Sequence, residues 1–302
     1  ASQLQFAIEP GALKAIKKMA ERIKIISQER ITEEFLKILR SPKPSIGLRL
    51  LYENELMGYI FPEVANLGGV EQKKVGAQEY HHKDVFYHTL QVVDNISEWT
   101  EDVWLRFAAL MHDIAKPRTK KFIEGTGWTF HGHEEIGARM LKKIFRALKL
   151  PMQPLDYVEK LVRLHLRPMA LVAEGVTDSA VRRLIVESGD DLEDLFMLCR
   201  ADITSKNPKL VKQYLANYDL VWEKVLAVRE KDMLRAFQSP VRGEEIMKVC
   251  GIPASRTVGD LKKAIEEAIL DGIIPNEHDA ALEYLMKIKD EILAKEGMKA
   301  KV

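Results

Sequence analysis

Apolar positions along the chain recur mostly at three- and four-residue spacing, the period of an amphipathic helix rather than of a strand. Ile136, Met140, Leu141, Ile144, Phe145 and Leu148 form one such stripe, with Lys142, Lys143 and Arg146 outside it. Helix-start signals accompany the pattern. Asp190 with Glu193 reads as a capping box, and Asn207-Pro208 sets an N-cap ahead of a first-turn proline. The period then runs nearly unbroken from residue 208 to about 237, which predicts one long helix. Strand-type alternation is confined to a short hairpin predicted across residues 121–130, around Gly125-Thr126-Gly127. The expected fold class is all-α.

The pattern divides the chain into three regions. Residues 1–70 are predicted as a helical neck that ends at Gly68-Gly69, and the polar stretch 71–79 reads as a linker. Residues 71–205 are predicted as a helical bundle, and seven of the eight histidines fall within 80–205. Residues 206–302 form a helical tail: the long helix, a break at Gly251-Ile252-Pro253, and two further helices.

Composition changes the picture by exclusion. Lys and Arg total 46 against 45 Asp and Glu, a net charge of +1, so nucleic-acid binding through bulk charge is excluded. Apolar residues at 46% and charged residues at 30% fit a globular chain rather than a disordered one. No apolar run approaches the ~18 residues of a membrane span and no signal peptide opens the chain, so no membrane partner is expected. The two cysteines, Cys199 and Cys250, lie in apolar helical surroundings and make no disulfide framework, which points to a reducing cytoplasm. Charge is nevertheless uneven. Residues 1–50 carry ten Lys/Arg against five Asp/Glu, and residues 139–183 carry ten against four. Such runs are commonly solvated faces; two of them on a nearly neutral chain also suit the phosphates of RNA. Both zones are poor in aromatics, which argues against a base-stacking platform there. Trp99, Trp104 and Trp222 read as core or interface residues.

The histidines carry the candidate chemistry. His88 falls early in an amphipathic helix, His112 and Asp113 are adjacent at the end of an apolar helix over 104–114, and Asp202 closes another apolar helix. Neighbouring helix positions point about 100° apart, so His112 and Asp113 can straddle one cation. A single helical histidine is usually just packed. The ordered set His…His-Asp…Asp on successive apolar helices is more telling, because carboxylates at apolar helix ends are costly to bury without a counter-charge. Two imidazoles and two carboxylates suit a divalent metal (Mn, Ni, Mg, Fe or Zn) with coordination positions left open for water. His81, His82 and His278 read as surface or cap residues, and His131 is a weaker candidate than His133.

These motifs resemble those of the HD-domain metal-dependent phosphohydrolases, whose His…His-Asp…Asp signature matches His88, His112, Asp113 and Asp202. The run His112-Asp113-Ile114-Ala115-Lys116-Pro117 is similar to the variant with a lysine three residues after the Asp, with Ala115 where Gly is usual. The resemblance implies that Lys116 faces a substrate phosphate. It also implies that His133 and His165 serve a second metal or contact phosphate. Beyond this site the chain resembles the bacterial CCA-adding tRNA nucleotidyltransferases, a branch of the poly(A) polymerase family, across neck, HD domain and tail. The neck matches include Ser27-Gln28-Glu29-Arg30-Ile31, Pro44-Ser45-Ile46-Gly47-Leu48-Arg49 and Phe61-Pro62-Glu63; the tail matches include Leu270-Asp271-Gly272 and Pro275-Asn276. Ser255-Arg256-Thr257 departs from the Gly/Pro-rich lead-in usual before that tail helix.

The resemblance implies tRNA or another RNA as partner, gripped by neck and tail, with Lys14, Lys17, Lys18, Arg22 and Lys37 as candidate phosphate contacts. It implies a nucleotide-phosphate substrate, such as a 2′,3′-cyclic phosphate, at the HD site. Ala1 opens the sequence without a Met, and no Gly-Gly-x-x-Arg-Asp stretch or Asp-x-Asp pair after Gly-Ser occurs in the 302 residues. The expectation is therefore a C-terminal fragment, or one piece of a divided enzyme, whose nucleotidyltransferase head lies elsewhere on the parent protein. The expected function is metal-dependent phosphohydrolase or phosphodiesterase activity joined to RNA-binding helices. The alternative is a non-catalytic tRNA-binding scaffold with a vestigial metal site.

Overall fold

Helices build the architecture, and the four strands among the described residues are only two or three residues long. The computed structural model describes residues 1–72, 83–124, 127–172, 177–236, 239–270 and 273–295. The predicted hairpin is present as strands Lys121–Ile123 and Gly127–Thr129, with Phe122 opposite Trp128 and Lys121 opposite Thr129. Part of its turn, Gly125-Thr126, lies outside the described residues, as do His81 and His82. A second, two-residue ladder pairs Glu71–Gln72 with Lys83–Asp84 in the region read as a linker. The long helix spans Pro208–Ala236, with Asn207 Oδ1 accepting the backbone N–H of Lys209 at 3.0 Å.

Three local expectations change. The capping box at Asp190 and Glu193 is absent, because Gly189–Asp191 forms a 3₁₀ turn feeding directly into helix Leu192–Ala201. The Asp191 carboxylate pairs with Lys160 Nζ at 2.6 Å instead of capping. In helix His133–Ala147 the buried face runs through Gly137, Ala138, Leu141, Ile144 and Phe145, while Ile136 is exposed. Gly137 turns that face inward: a Cβ there would sit 3.3 Å from Val162 Cγ1, so its absence lets helix Leu155–Leu164 pack close. Trp99 is half exposed rather than core.

The chain forms two compact units, Ala1–Val225 and Leu226–Val302. The regions read from the sequence as 1–70 and 71–205 thus share one unit, and the physical reason is visible in its core. An aromatic row passes from Phe35 and Phe61 of the first region to Phe107 and Phe145 of the second, with successive ring centroids 5.7, 6.4 and 5.6 Å apart. Such pairs contribute about 0.5–1.5 kcal/mol each beyond the area they bury. Buried Arg106 adds a polar clasp. Its guanidinium donates to the carbonyls of Leu39 and Ser41, at the C-terminus of helix Gln28–Arg40, and to those of Ser97 and Thr100. A cation placed there also meets the negative end of the helix dipole. The backbone N–H and the hydroxyl of Ser45 both donate to Asp94, at 3.0 and 2.6 Å.

In the second unit, helices Gly243–Cys250, Arg256–Leu270 and His278–Lys295 enclose a core that includes Ile246, Leu261, Ile265 and Leu285. Gly251, at φ 65°, closes the first of these helices in the left-handed conformation. Both cysteines are free thiols and buried. Among the described residues no helix is long and apolar enough to cross a membrane.

Candidate metal centre

Five helices of the first unit bring the candidate residues together. Helix Val85–Ser97 starts under the Asp84 cap, whose carboxylate accepts from the N–H groups of Phe86 and Tyr87, and this presents His88 on its first turn. Helix Val103–Met111 ends at His112, and Asp113 follows directly. Helix Leu192–Ala201 ends at Asp202. His133 opens helix His133–Ala147, entered through Gly132 at φ 76°, and His165 closes helix Leu155–Leu164. Cross-ties fix these ends to one another. Asn95 donates to the Ala201 carbonyl at 2.8 Å, and the Cys199 thiol donates to the His165 carbonyl at 3.0 Å. Burial pushes the thiol pKa well up, so Cys199 stays protonated and able to donate.

The imidazoles share one design. The Nδ1 atoms of His112, His133 and His165 lie 2.7–2.8 Å from the carbonyls of Ala109, Phe130 and Val162. A carbonyl only accepts, so each Nδ1 carries a proton and each Nε2 is left with its lone pair in the neutral ring. His88 Nδ1 meets the Thr204 hydroxyl instead, at 2.8 Å. The freed edges converge on the carboxylates. His88 Nε2 is 2.9 Å from Asp202 Oδ1, His112 Nε2 is 3.2 Å from Asp113 Oδ2 and 3.4 Å from Asp202 Oδ1, and His133 Nε2 is 3.3 Å from Asp113 Oδ1. Asp113 therefore turns one oxygen toward each of two ligand groups: His88, His112 and Asp202 on one side, His133 and His165 on its own.

Lone pairs aimed at lone pairs repel unless a proton or cation lies between them. Here the buried Nε2 atoms of His112 and His133 and Oδ2 of Asp113 have no hydrogen-bond partner of acceptable direction, despite their short separations. The charge contacts are close, yet none of them is a directed hydrogen bond. The pKa shifts tell the same story for the metal-free protein. Burial opposes charging His112, yet Asp113 and Asp202 overcome it and raise its pKa to about 10. Burial would also raise both carboxyls, and His112 together with Lys116 (for Asp113) and His88 (for Asp202) holds them well below the usual range. His165 is lowered to about 3, by burial first and then by neighbouring His112. A proton shared through His112 does the work that a cation would do, and the donor set of imidazole nitrogens and carboxylate oxygens fits a divalent transition metal.

Lys116 is placed beside this centre, but its Nζ is spent on Asp113 Oδ2 at 2.7 Å. His131 is exposed and outside the cluster, and His278 pairs with Glu245 at 2.9 Å on the surface of the second unit. Thr204 escaped the sequence reading; its signal was a hydroxyl two residues past the helix-ending Asp202. The neck candidates are dispersed. Lys14, Lys17 and Lys18 are exposed on helix Pro10–Lys18, Arg22 is exposed on the turn Ala20–Ile25, and Lys37 lies on helix Gln28–Arg40. Lys17 pairs with Glu55, and Lys37 with Glu33 and Glu34. Several cations of the 139–183 zone are likewise matched: Arg139 and Arg163 both reach Glu135, and Lys149 reaches Glu29.

Known proteins mirror this layout. Residues 5–67 match the family model described as a probable RNA and SrmB-binding site of polymerase A, and residues 85–195 match the HD domain. An A-adding tRNA nucleotidyltransferase of Deinococcus radiodurans is 30% identical over 287 residues, covering 92% of this chain and 63% of that protein. A CC-adding tRNA nucleotidyltransferase of Thermus thermophilus is 32% identical over 259 residues, covering 84% of this chain and 55% of that protein. A multifunctional CCA protein of Methylococcus capsulatus is 32% identical over 208 residues, covering 66% and 47%. The chain thus spans 47–63% of the length of these relatives.

Proposed function

The chain carries a poly(A)-polymerase-type RNA-binding region followed by an HD domain and is homologous to tRNA nucleotidyltransferases over most of its length; from that premise we propose that it works in the cytoplasm as a metal-dependent phosphohydrolase of RNA-derived phosphates. The neck holds RNA through its phosphates. The HD centre hydrolyses a phosphate ester, with 2′,3′-cyclic phosphates and small nucleoside phosphates as the substrate class. Nucleotide addition, the activity named for the relatives, is not assigned to these 302 residues, which hold no Gly-Gly-x-x-Arg-Asp stretch.

One observation carries the hydrolytic reading: the buried Nε2 atoms of His112 and His133 have no hydrogen-bond partner, and the buried Asp113 Oδ2 beside them is met by the Lys116 ammonium at 2.7 Å. Burying such groups unsatisfied costs several kcal/mol, so the arrangement makes sense around a cation. A divalent metal bound there would supply Lewis acidity and a nucleophilic water near neutral pH. His88, His112, Asp113 and Asp202 would hold it, and His133 and His165 would hold a second ion or contact the phosphate. Of these two roles the first suits His165 better: its pKa is lowered to about 3 and its Nδ1–H is engaged by the Val162 carbonyl, so Nε2 presents a lone pair to a cation. When phosphate arrives, Lys116 exchanges its contact with Asp113 for a non-bridging oxygen, a move of one flexible side chain.

The Lys116–Asp113 pair also favours a second reading, a tRNA-binding scaffold in which an ammonium has taken the metal's electrostatic place. Metal analysis of the purified protein, with assays on 2′,3′-cyclic nucleotides before and after chelation, separates the two. The proposal expects at least one tightly held divalent ion per chain and hydrolysis that chelator abolishes. A metal-replete chain that cleaves none of these phosphates establishes the scaffold.

A further inference from the structure

The connection between Asp113 and His133 is the most basic and aromatic short segment beside the centre. Over residues 116–130, Lys116, Arg118, Lys120 and Lys121 face one acid, Glu124, and Phe122, Trp128 and Phe130 lie among them. The hairpin brings these types onto one surface. Phe122 and Trp128 are directly opposite across the two strands, their ring centroids 5.3 Å apart. Lys120 Nζ stands 4.5 Å above the Trp128 ring. Two residues after Trp128, just past the strand end at Thr129, Phe130 lies with Lys116 Nζ 5.6 Å from its ring. Lys116 is the lysine that touches Asp113.

This surface is not consumed by the fold. Phe122 is 60% exposed. Its base, by contrast, is firmly tied to the centre: the Phe130 carbonyl accepts from His133 Nδ1, and buried Thr119 donates to the Ala115 carbonyl. An exposed Phe122 beside the partly buried rings of Trp128 and Phe130, with ammonium groups between them leading to a phosphate-directed lysine, matches what single-stranded nucleic acid offers. Bases stack on rings of any sequence, and phosphates pair with the intervening cations.

Building on the HD reading above, we propose that the hairpin is a subsite for unpaired nucleotides upstream of the phosphate held at the centre. The substrate is then the single-stranded end of a polynucleotide rather than only a free nucleotide. Phe122 and Trp128 stack the upstream bases, and Lys120 takes the linking phosphate.

The test uses the whole chain and a fluorescein-labelled single-stranded hexanucleotide. Fluorescence anisotropy should show Phe122→Ala binding about five-fold or more weakly, the loss of roughly one stacked base. Phe122→Trp should bind like the natural chain, and Lys120→Ala should flatten the salt dependence. Hydrolysis of a 2′,3′-cyclic mononucleotide, which has no upstream base, should be the same in Phe122→Ala as in the natural protein. Hexanucleotide affinity that ignores Phe122→Ala, or that is absent in the natural chain, overturns the subsite. So does a Phe122→Ala chain that loses metal and mononucleotide activity together with hexanucleotide binding, which makes Phe122 structural. If the natural chain cleaves no mononucleotide, the hydrolytic reading falls, while the binding measurements still decide the subsite.

Discussion

The neck and the HD centre are both rich in charge and treat it in opposite ways. On the neck, Lys17, Lys24 and Lys37 stand in water with carboxylates 2.8–3.2 Å away. Exposed pairs of this kind are worth about 0–1 kcal/mol and exchange readily for a phosphate. In the centre, Asp113 and His112 are almost wholly buried, with His112 Nε2 3.2 Å and Lys116 Nζ 2.7 Å from Asp113 Oδ2. The neck can lose any one cation at little cost; the centre is balanced only while a proton, an ammonium or a metal fills its middle. Placement rather than charge count separates the two.

The largest expected effect comes from removing the shared carboxylate. Asp113→Ala should lose bound metal and all phosphate hydrolysis, because one oxygen of Asp113 serves each ligand group. Leaving His112 and Lys116 without their counter-charge should also cost about 3–5 kcal/mol of stability, read by urea melts. Asp113→Asn keeps the shape and separates folding from chemistry. Full metal occupancy in either variant would mean that the two histidine groups bind without their bridge.

The balance of the centre should also appear in its pH dependence. An unfolded histidine titrates near ~6.5. His112, raised to about 10 in the metal-free fold, contributes stability that is complete below that value and lost as pH rises toward 10. His165, lowered to about 3, acts in the opposite sense: its contribution is complete above ~6.5 and lost as pH falls toward 3. Asp113 and Asp202, held below the usual range, add to the acid-side loss. Thermal melts of the metal-free chain should peak near pH 6.5. Added metal displaces the His112 proton, so the gain in Tm should grow above that pH. A gain independent of pH would show that His112 is not a ligand.

A smaller effect belongs to Thr204. Replacing its hydroxyl in Thr204→Val leaves His88 Nδ1 buried without its 2.8 Å partner. Orienting contacts of this type are worth about 10- to 100-fold in metal affinity, so competition with a chelating dye should show a drop of that size, restored in Thr204→Ser. Equal affinity in both variants would put the orientation of His88 in the backbone alone.

How much of this was legible in the sequence follows from the range of each force. Helical period, the N-cap at Asn207 and the hairpin are local, and each is visible in a few residues. The candidate residues stood out because His112-Asp113 and Asp202, at the ends of apolar helices, are unusual company for charge. The merging of neck and bundle was not, since the Phe61–Phe107 contact and the Leu39 and Ser41 carbonyls on Arg106 join residues far apart in the chain. Ile136 misled because hydropathy cannot see Gly137 drawing the neighbouring helix onto the other face. Thr204 stayed hidden for the same reason: only the fold brings it to His88.

The smallest effects are expected on the neck, where they discriminate between its lysines. Lys14 and Lys18 lie four residues apart on helix Pro10–Lys18, so they share a face, and among the described residues neither makes an ion pair. Lys17 and Lys37 must first release Glu55, or Glu33 and Glu34, before meeting a phosphate. Each direct phosphate contact contributes about 0.7–0.9 to the slope of log K against log salt. The double variant Lys14→Ala/Lys18→Ala should therefore lower the slope of tRNA binding by about 1.5, and Lys17→Ala/Lys37→Ala by less. Neither pair should shift stability beyond ~0.5 kcal/mol, nor alter hydrolysis of a mononucleotide at the HD centre. Filter binding at several salt concentrations reads the slopes. Equal slopes for both double variants would show that the carboxylates beside Lys17 and Lys37 do not hold them back, and the contrast between a paired and an unpaired surface cation would then carry no weight in RNA binding.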